Sequence, residues 1–492
     1  MPKPDFRSID LHAIAREAMR RYGFVPEFPS GVMKEVALLA EDPLVDSARQ
    51  GRRDLCGLLW SSIDNADSLD LDQLEYCERG QRQEILVRVA VADVDLFVPK
   101  GSKADFHASD NGNSVYTGIE TFPMLPERLS TDISSLRAGV RRAAVVVEFA
   151  VLKDGDIRQG EIYRALVENK AKLVYDEVGA WLEDRGPAPH LFSSVPGLED
   201  QVRLQDEAAE RLRTFRMAQG ALDLESLETR AVKEGDMVVS LVLPQENKAQ
   251  YLIENFMIAA NRTVMDRLGK AGIPVIQRVV RIPKDWPGMR EVAATCHENL
   301  PMVPSSKELA KFLLKRKAAD PLRFPDLSLT IVKLMGPGEY EVLEPGKAPT
   351  GHFGLAISDY THSTAPNRRY VDVIIQRLIK AVTAGQKCPY TRREMVERAA
   401  WCTDRDKSAK KVERFMRKVE AAVLMCGRIG EEFDGIVTGA SDKGTYVRLM
   451  DPPVEGRVVR GAERMRVGQK VRVRLTDLNP YEGHIDLVRV RD

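Results

Sequence analysis

Ile63-Asp64-Asn65-Ala66-Asp67-Ser68-Leu69-Asp70-Leu71-Asp72-Gln73 sets four carboxylates, Asp64, Asp67, Asp70 and Asp72, within nine residues. Carboxylates that close repel, and each raises the pKa of its neighbours. A solvated loop tolerates the arrangement, whereas a folded and partly buried one needs a cation to neutralise it. Hard oxygen donors at this density suit magnesium or manganese, while zinc would call for Cys and His. An EF-hand is excluded: counting from Asp64, the third position is Ala66 and the obligatory glycine position is Leu69. Asp70 and Asp72, two residues apart, face the same way on an extended chain.

Around this stretch lies a chain of 492 residues, long enough for two to four domains. A hydrophobic content of 43% and a charged content of 30% describe a soluble globular protein. No run approaches the length of a membrane span, and the start, Met1-Pro2-Lys3-Pro4-Asp5, lacks the basic-then-apolar order of a signal peptide. The expectation is a cytoplasmic monomer without membrane association. Cys56, Cys77, Cys296, Cys388, Cys402 and Cys426 are scattered with no Cys-x-x-Cys pair, so they read as reduced thiols. Basic and acidic residues balance at 73 each, so a polyanion would have to be drawn by local patches. Three exist, at Lys311 to Arg323, Arg405 to Lys418 and Arg457 to Arg474.

Apolar spacing and turn residues divide the chain into a helical unit over 1–50, a large mixed domain over 51–428 and a small barrel over 429–492. In the first, Ser8 and Asp10 offer caps before a stripe of Leu11, Ile14, Ala15, Ala18 and Met19, and Pro29-Ser30-Gly31 opens a second helix; a helix-turn-helix type is one reading. In the second, Glu84 to Val98 alternates as a strand, and Ala143 to Leu152 turns at Lys153-Asp154-Gly155-Asp156 into a partner strand. Helices are predicted over 173–182, 198–219 and 248–270, after Pro366, and over 391–427. In the third, five short strands, with a turn at Ser441-Asp442-Lys443-Gly444, fit an OB-type barrel. Between Val454 and Arg474, Arg457, Arg460, Arg464, Arg466, Lys470, Arg472 and Arg474 stand against Glu455 and Glu463 alone, a footprint suited to single-stranded nucleic acid.

Ser62-Ile63-Asp64 with Asp70-Leu71-Asp72 is followed by Val89-Ala90-Val91-Ala92-Asp93-Val94, Ser114-Val115-Tyr116 and Phe122-Pro123-Met124-Leu125-Pro126. Later come Lys170 to Tyr175, Gly220-Ala221-Leu222-Asp223, Ile253 to Asn261, and Tyr360-Thr361-His362-Ser363-Thr364-Ala365-Pro366-Asn367-Arg368-Arg369-Tyr370. In this order the segments resemble the RNB family, the ribonuclease II and R exoribonucleases, and the tail resembles the S1-type barrel that these enzymes carry. The resemblance implies an α+β fold: an RNB catalytic domain with a small helical unit before it and an S1-type OB barrel after it. It also implies hydrolytic, processive 3′-to-5′ degradation of single-stranded RNA to nucleoside 5′-monophosphates with magnesium, manganese being a substitute.

By the same resemblance Asp64, Asp70, Asp72 and Gln73 fall at the metal site, with Asp72 the most critical and Asp67 left as a solvated loop residue. Arg368 would clamp the scissile phosphate, against the alternative of an ion pair with Asp372 on the following helix. Tyr116 would stack on a base near the 3′ end, against the alternative of a core tyrosine. Tyr175 and Glu254 would contact the sugar and Glu413 the terminal nucleotide. Two departures stand out. The family motif ends in two adjacent aspartates, and here the second is Gln73, which removes one negative charge. A catalytically weakened RNA-binding protein with the RNB fold is therefore the competing reading, and a metal-dependent DNA nuclease a third. Bacterial members also generally begin with cold-shock-type barrels, for which some fifty residues leave no room.

Overall fold

The computed structural model describes residues 9–39, 51–225, 229–234, 237–243, 246–321, 323–441 and 444–490. Ser8 and the Asp442-Lys443 turn lie outside the described residues, as does the end of the predicted N-terminal unit. Seven strands form the central sheet: β1 (Arg53–Asp54), β2 (Ser61–Asp64), β3 (Gln73–Arg79), β4 (Ile85–Ala92), β5 (Arg141–Val151), β6 (Ile157–Glu168) and β7 (Ala171–Val174). Their spatial order is β1-β6-β5-β4-β3-β2-β7. From β2 to β6 successive strands are antiparallel neighbours, while β1 and β7 add parallel edges.

The run Val145-Val146-Val147 shows why β5 is central: β-branched side chains suit a pleated surface, and all three are buried although they alternate between faces. Gly155 closes the β5–β6 hairpin at φ +86°, and a Cβ there would lie 2.1 Å from the Arg211 carbonyl oxygen, so no larger residue fits.

Seven helices matter for the site: α1 (Leu11–Arg21), α2 (Ser30–Ala37), α3 (Tyr175–Leu182), α4 (Leu198–Gln219), α5 (Lys248–Lys270), α6 (Tyr370–Thr383) and α7 (Arg392–Leu424). Capping boxes at Asn247–Gln250 and Thr391–Glu394 start α5 and α7, each satisfying orphan backbone donors. The helix predicted from Leu173 begins only at Tyr175. Residues Ala171 to Val174 instead pair in parallel with β2, opposite Asp64 at their last step, and that tertiary pairing overrides the local helical period.

Asp10 caps α1, and of the predicted stripe Leu11, Ala15, Ala18 and Met19 are buried against Val412, Met416 and Val419 of α7, with Ile14 partly buried beside them. The same cluster holds Val115 and Phe122, which flank the short hairpin carrying Tyr116. His12 and Arg16 reach Glu120 in that hairpin at 3.1 and 3.2 Å. The first helix is thus a brace for the Tyr116 hairpin.

At the C-terminal end, β8 (Glu432–Ser441), β9 (Gly444–Leu449), β10 (Glu455–Arg460), β11 (Lys470–Asn479) and β12 (His484–Arg489) close a barrel in the order β8-β9-β10-β12-β11. Val447, Leu449, Val473, Leu475 and Leu487 fill it, with Ala422 and Met425 from the end of α7 packed in the same cluster. Arg472 and Arg474 are tied to Glu432, at 3.0 and 2.6 Å. Arg457, Arg460, Arg464, Arg466 and Lys470 have no acidic partner among the described residues. Among the described residues no helix is long and apolar enough to cross a membrane.

Candidate active site

The loop between β2 and β3 is held by its own backbone. Leu71 plugs into the core, its N–H donates to Ser135 Oγ at 3.0 Å, and Ser135 Oγ donates to the Leu69 carbonyl at 2.7 Å. Leu136 N–H donates to the Leu71 carbonyl at 3.0 Å, and Ala92 N–H to that of Asp72 at 2.9 Å. With Leu71 turned inward, Asp70 and Asp72 are left on the other side. Ser135→Ala strips a buried partner from both Leu71 N–H and Leu69 C=O. It is expected to lower stability by about 1–3 kcal/mol in denaturant unfolding.

Asp64, Asp70, Asp72 and Gln73 line one cavity of about 360 Å³ together with Tyr116, Tyr175, Thr364 and Arg368, and Ile253 and Met257 form an apolar wall. Asp72 is nearly inaccessible. Its Oδ1 accepts from the Asn367 N–H at 2.8 Å, while Oδ2 is buried without a hydrogen-bond partner, 3.4 Å from Arg368 Nε. Burial pushes its pKa up to about 8, against the pull of the Arg368 charge. Burial also raises Asp70, whose Oδ2 accepts from the Tyr116 hydroxyl at 3.2 Å. Asp64 Oδ1 accepts from the Asn65 N–H at 2.8 Å and from Ser68 Oγ at 2.6 Å. Asp67 is exposed, as expected of a loop residue.

The cavity gathers the acids without closing them into a cage: among the described residues no three Asp, Glu, His or Cys side chains form a ready metal cluster. Each carboxylate accepts at least one hydrogen bond from a protein donor. The donor set nonetheless fits a hard divalent cation. It offers carboxylate and amide oxygens, and the orphaned Asp72 Oδ2 has the desolvation cost that a cation would relieve.

Arg368 lies in the turn Pro366-Asn367-Arg368, two residues before the N-terminus of α6. The ion pair with Asp372 is made by Arg369, at 2.9 and 2.8 Å, which leaves Arg368 for the cavity. Ser114 N–H donates to the Arg368 carbonyl at 3.0 Å, so the strand leading to Tyr116 also fixes Arg368. Tyr116 is 41% exposed, which rules out the core alternative. Glu413 stands beside it, its Oε1 accepting from the Tyr116 N–H at 3.4 Å. Tyr175, the first residue of α3, faces the cavity, and burial and the nearby Asp64 raise its hydroxyl pKa.

Glu254 is different. It is exposed on α5 and pairs with Arg216 at 3.2 Å, and it is not among the cavity-lining residues. Ile253 and Met257, four residues apart, share the helix face that looks into the cavity, and Glu254 is rotated off it. Thr364 and the Asn367 N–H lay within the quoted motif, yet their roles had no sequence signal, because they depend on how the turn before α6 folds onto β3.

Residues 52–385 match the family model of the RNB domain, and residues 431–490 match that of the RNase II-type exonuclease C-terminal S1 domain. The ribonuclease R of Thermotoga maritima is 29% identical over 95% of this chain and 68% of its own length. That of Aquifex aeolicus is 29% identical over 93% and 63%, and that of Escherichia coli 27% over 95% and 61%. The chain thus spans three fifths to two thirds of these relatives. Among solved structures, Mycoplasma genitalium RNase R in complex with ribose-methylated single-stranded RNA superposes with a TM-score of 0.87 at 23% identity, covering 98% of this chain and 78% of that one. Yeast Ssd1, a pseudonuclease, superposes with a TM-score of 0.72 at 17% identity, covering 92% and 56%. At these identities both share the fold alone. The RNB match takes in well over half of the chain, and it follows the acidic loop, the Tyr116 hairpin and the Arg368 turn, so the chain belongs to the RNB family of 3′-to-5′ exoribonucleases.

Proposed function

We propose that this chain degrades single-stranded RNA processively from its 3′ end, releasing nucleoside 5′-monophosphates, with magnesium held by Asp64, Asp70, Asp72 and Gln73. The observation that carries this reading is the buried, unpartnered Asp72 Oδ2 beside Arg368 in a cavity that also holds the half-exposed Tyr116. A divalent cation there would supply an activated water and charge neutralisation. The side chains do the rest. Arg368 lies where its guanidinium can fork onto the scissile phosphate as negative charge builds. Tyr116 offers a face for the terminal base, backed by Glu413, and Tyr175 offers a hydroxyl toward the sugar.

The unpaired basic residues of the barrel would hold the incoming strand; the complex of the Mycoplasma enzyme with single-stranded RNA supports that class of ligand. The functional units are residues 1–50, 51–428 and 429–492. A monomer suffices, since one chain lines the whole cavity, and six unpaired cysteines suit the cytoplasm.

The test is a 5′-labelled RNA incubated with magnesium. A ladder descending to a short limit oligomer supports the enzyme; intact but retarded RNA would return the chain to a binding role, and equal cleavage of DNA would remove the selection for ribose. Tyr116→Ala is expected to lengthen the limit product, because stacking worth about 1–3 kcal/mol is lost at the last step. The product sizes on a sequencing gel check it.

A further inference from the structure

Of the motif Lys170 to Tyr175, Tyr175 alone lines the cavity, yet Lys172 reaches the acidic loop from behind. β7 runs parallel to β2, with Lys172 opposite Ser62 and Val174 opposite Asp64. From that strand the Lys172 ammonium donates to the Ala66 carbonyl at 2.8 Å and to the Ser68 carbonyl at 2.6 Å, 106 and 104 residues away in sequence. Both carbonyls belong to the turn Asn65–Ser68, which the Ser68 N–H closes on the Asn65 carbonyl at 3.2 Å. Asp64 precedes this turn and Asp70 follows it, and Asn65 and Ser68 are themselves cavity wall. The shape of the turn therefore sets how Asp64 and Asp70 stand to one another.

Lysine has three donors and no acceptor, and beside a loop that carries Asp64, Asp67 and Asp70 an ion pair is the contact expected of it. It makes none with these acids among the described residues and gives two bonds to backbone instead. A charged donor shared by two carbonyls holds the turn more firmly than neutral bonds would, since charge-assisted hydrogen bonds are the stronger kind. We propose that Lys172 is a positioning residue for cleavage: by gripping the Asn65–Ser68 turn it fixes Asp64 and Asp70 in the geometry that scission requires. It is not part of the cavity wall and acts on the reaction through the turn. The inference rests on the exonuclease reading above.

Lys172→Met in the full chain removes the donors and keeps a long, unbranched side chain. Hydrogen exchange of the peptide covering residues 64–70, read by mass spectrometry, is expected to quicken about tenfold or more, with β3 and β4 unchanged. Single-turnover cleavage of 5′-labelled RNA in magnesium is expected to slow about 10- to 100-fold, the scale of a catalytic group displaced by roughly 1 Å, with RNA affinity within about threefold of wild type. Lys172→Arg, whose guanidinium can again bond both carbonyls, is expected to recover most of the rate and the slow exchange. Unchanged exchange or an unchanged rate in Lys172→Met overturns the proposal, as does a loss of RNA affinity large enough to account for the slower cleavage. Should Lys172→Met not fold, Lys172→Gln carries the same two readouts. No cleavage by the wild-type chain would sink the exonuclease reading itself, an outcome distinct from a Lys172→Met chain that cleaves as fast as an active wild type.

Discussion

Asp72→Asn is expected to abolish cleavage, by about 1,000-fold or more, while RNA affinity stays within about threefold of wild type. The substitution keeps the shape, and an amide oxygen can still accept the Asn367 N–H that Asp72 Oδ1 accepts at 2.8 Å. What disappears is an ionisable Oδ2, the atom left without a hydrogen-bond partner, and with it the negative charge that a divalent cation would draw out there. In the proposed function strand binding depends on the barrel and on Tyr116, whose positions the change leaves in place. Single-turnover rates together with a filter-binding isotherm measure both halves. Retained turnover would remove Asp72 from the mechanism.

The same variant carries a stability signature. Asp72 is raised from an ordinary value of 3.8 to about 8 by burial. Its contribution to stability is therefore fully present below about pH 4 and is lost as the pH rises through 8. Asparagine has no such loss, so the melting temperature of Asp72→Asn should overtake that of wild type progressively between pH 4 and 8. Magnesium should narrow the gap by stabilising the ionised carboxylate of the wild type. Thermal melts across that range, with and without magnesium, give the sign directly.

Arg368→Ala is the second large effect: about 100- to 1,000-fold in kcat, the range found when one preorganised donor to a developing oxyanion is removed. The side chain is 44% exposed and its ion pair with Asp72 is 3.4 Å long, so its loss should cost little stability. Arg369 retains its bond to Asp372 and keeps the start of α6 in place. Arg368→Lys restores a charge but not the planar fork, and an intermediate kcat is expected. A fall in KM-dependent binding with kcat unchanged would instead make Arg368 a strand-binding residue.

Much of the chemistry was legible in the chain because it is local. Asp70-Leu71-Asp72 displays two acids on one side whenever it is extended, and Leu71 in the core enforces that. The Gly155 turn and the apolar stripe of α1 likewise depend on neighbours a few residues away, and the structure shows both. Where expectation and structure part, the deciding contact is distant in sequence. Residues 171–174 became a strand because β2 offered an edge. Glu254 left the site because the rotation of α5 is set by packing Ile253 and Met257 against the cavity.

By itself the sequence determined which residue types could gather hard oxygens, a base-stacking ring and a guanidinium, and in what order along the chain, since motif spacing and residue chemistry are properties of the covalent polymer. Only the tertiary structure decided that Arg369 and not Arg368 takes Asp372, and that Asp72 Oδ2 is left without a hydrogen-bond partner. The first depends on how the turn before α6 folds, and the second on burial between segments hundreds of residues apart, where the cost of desolvating a charge is set by what folds over it.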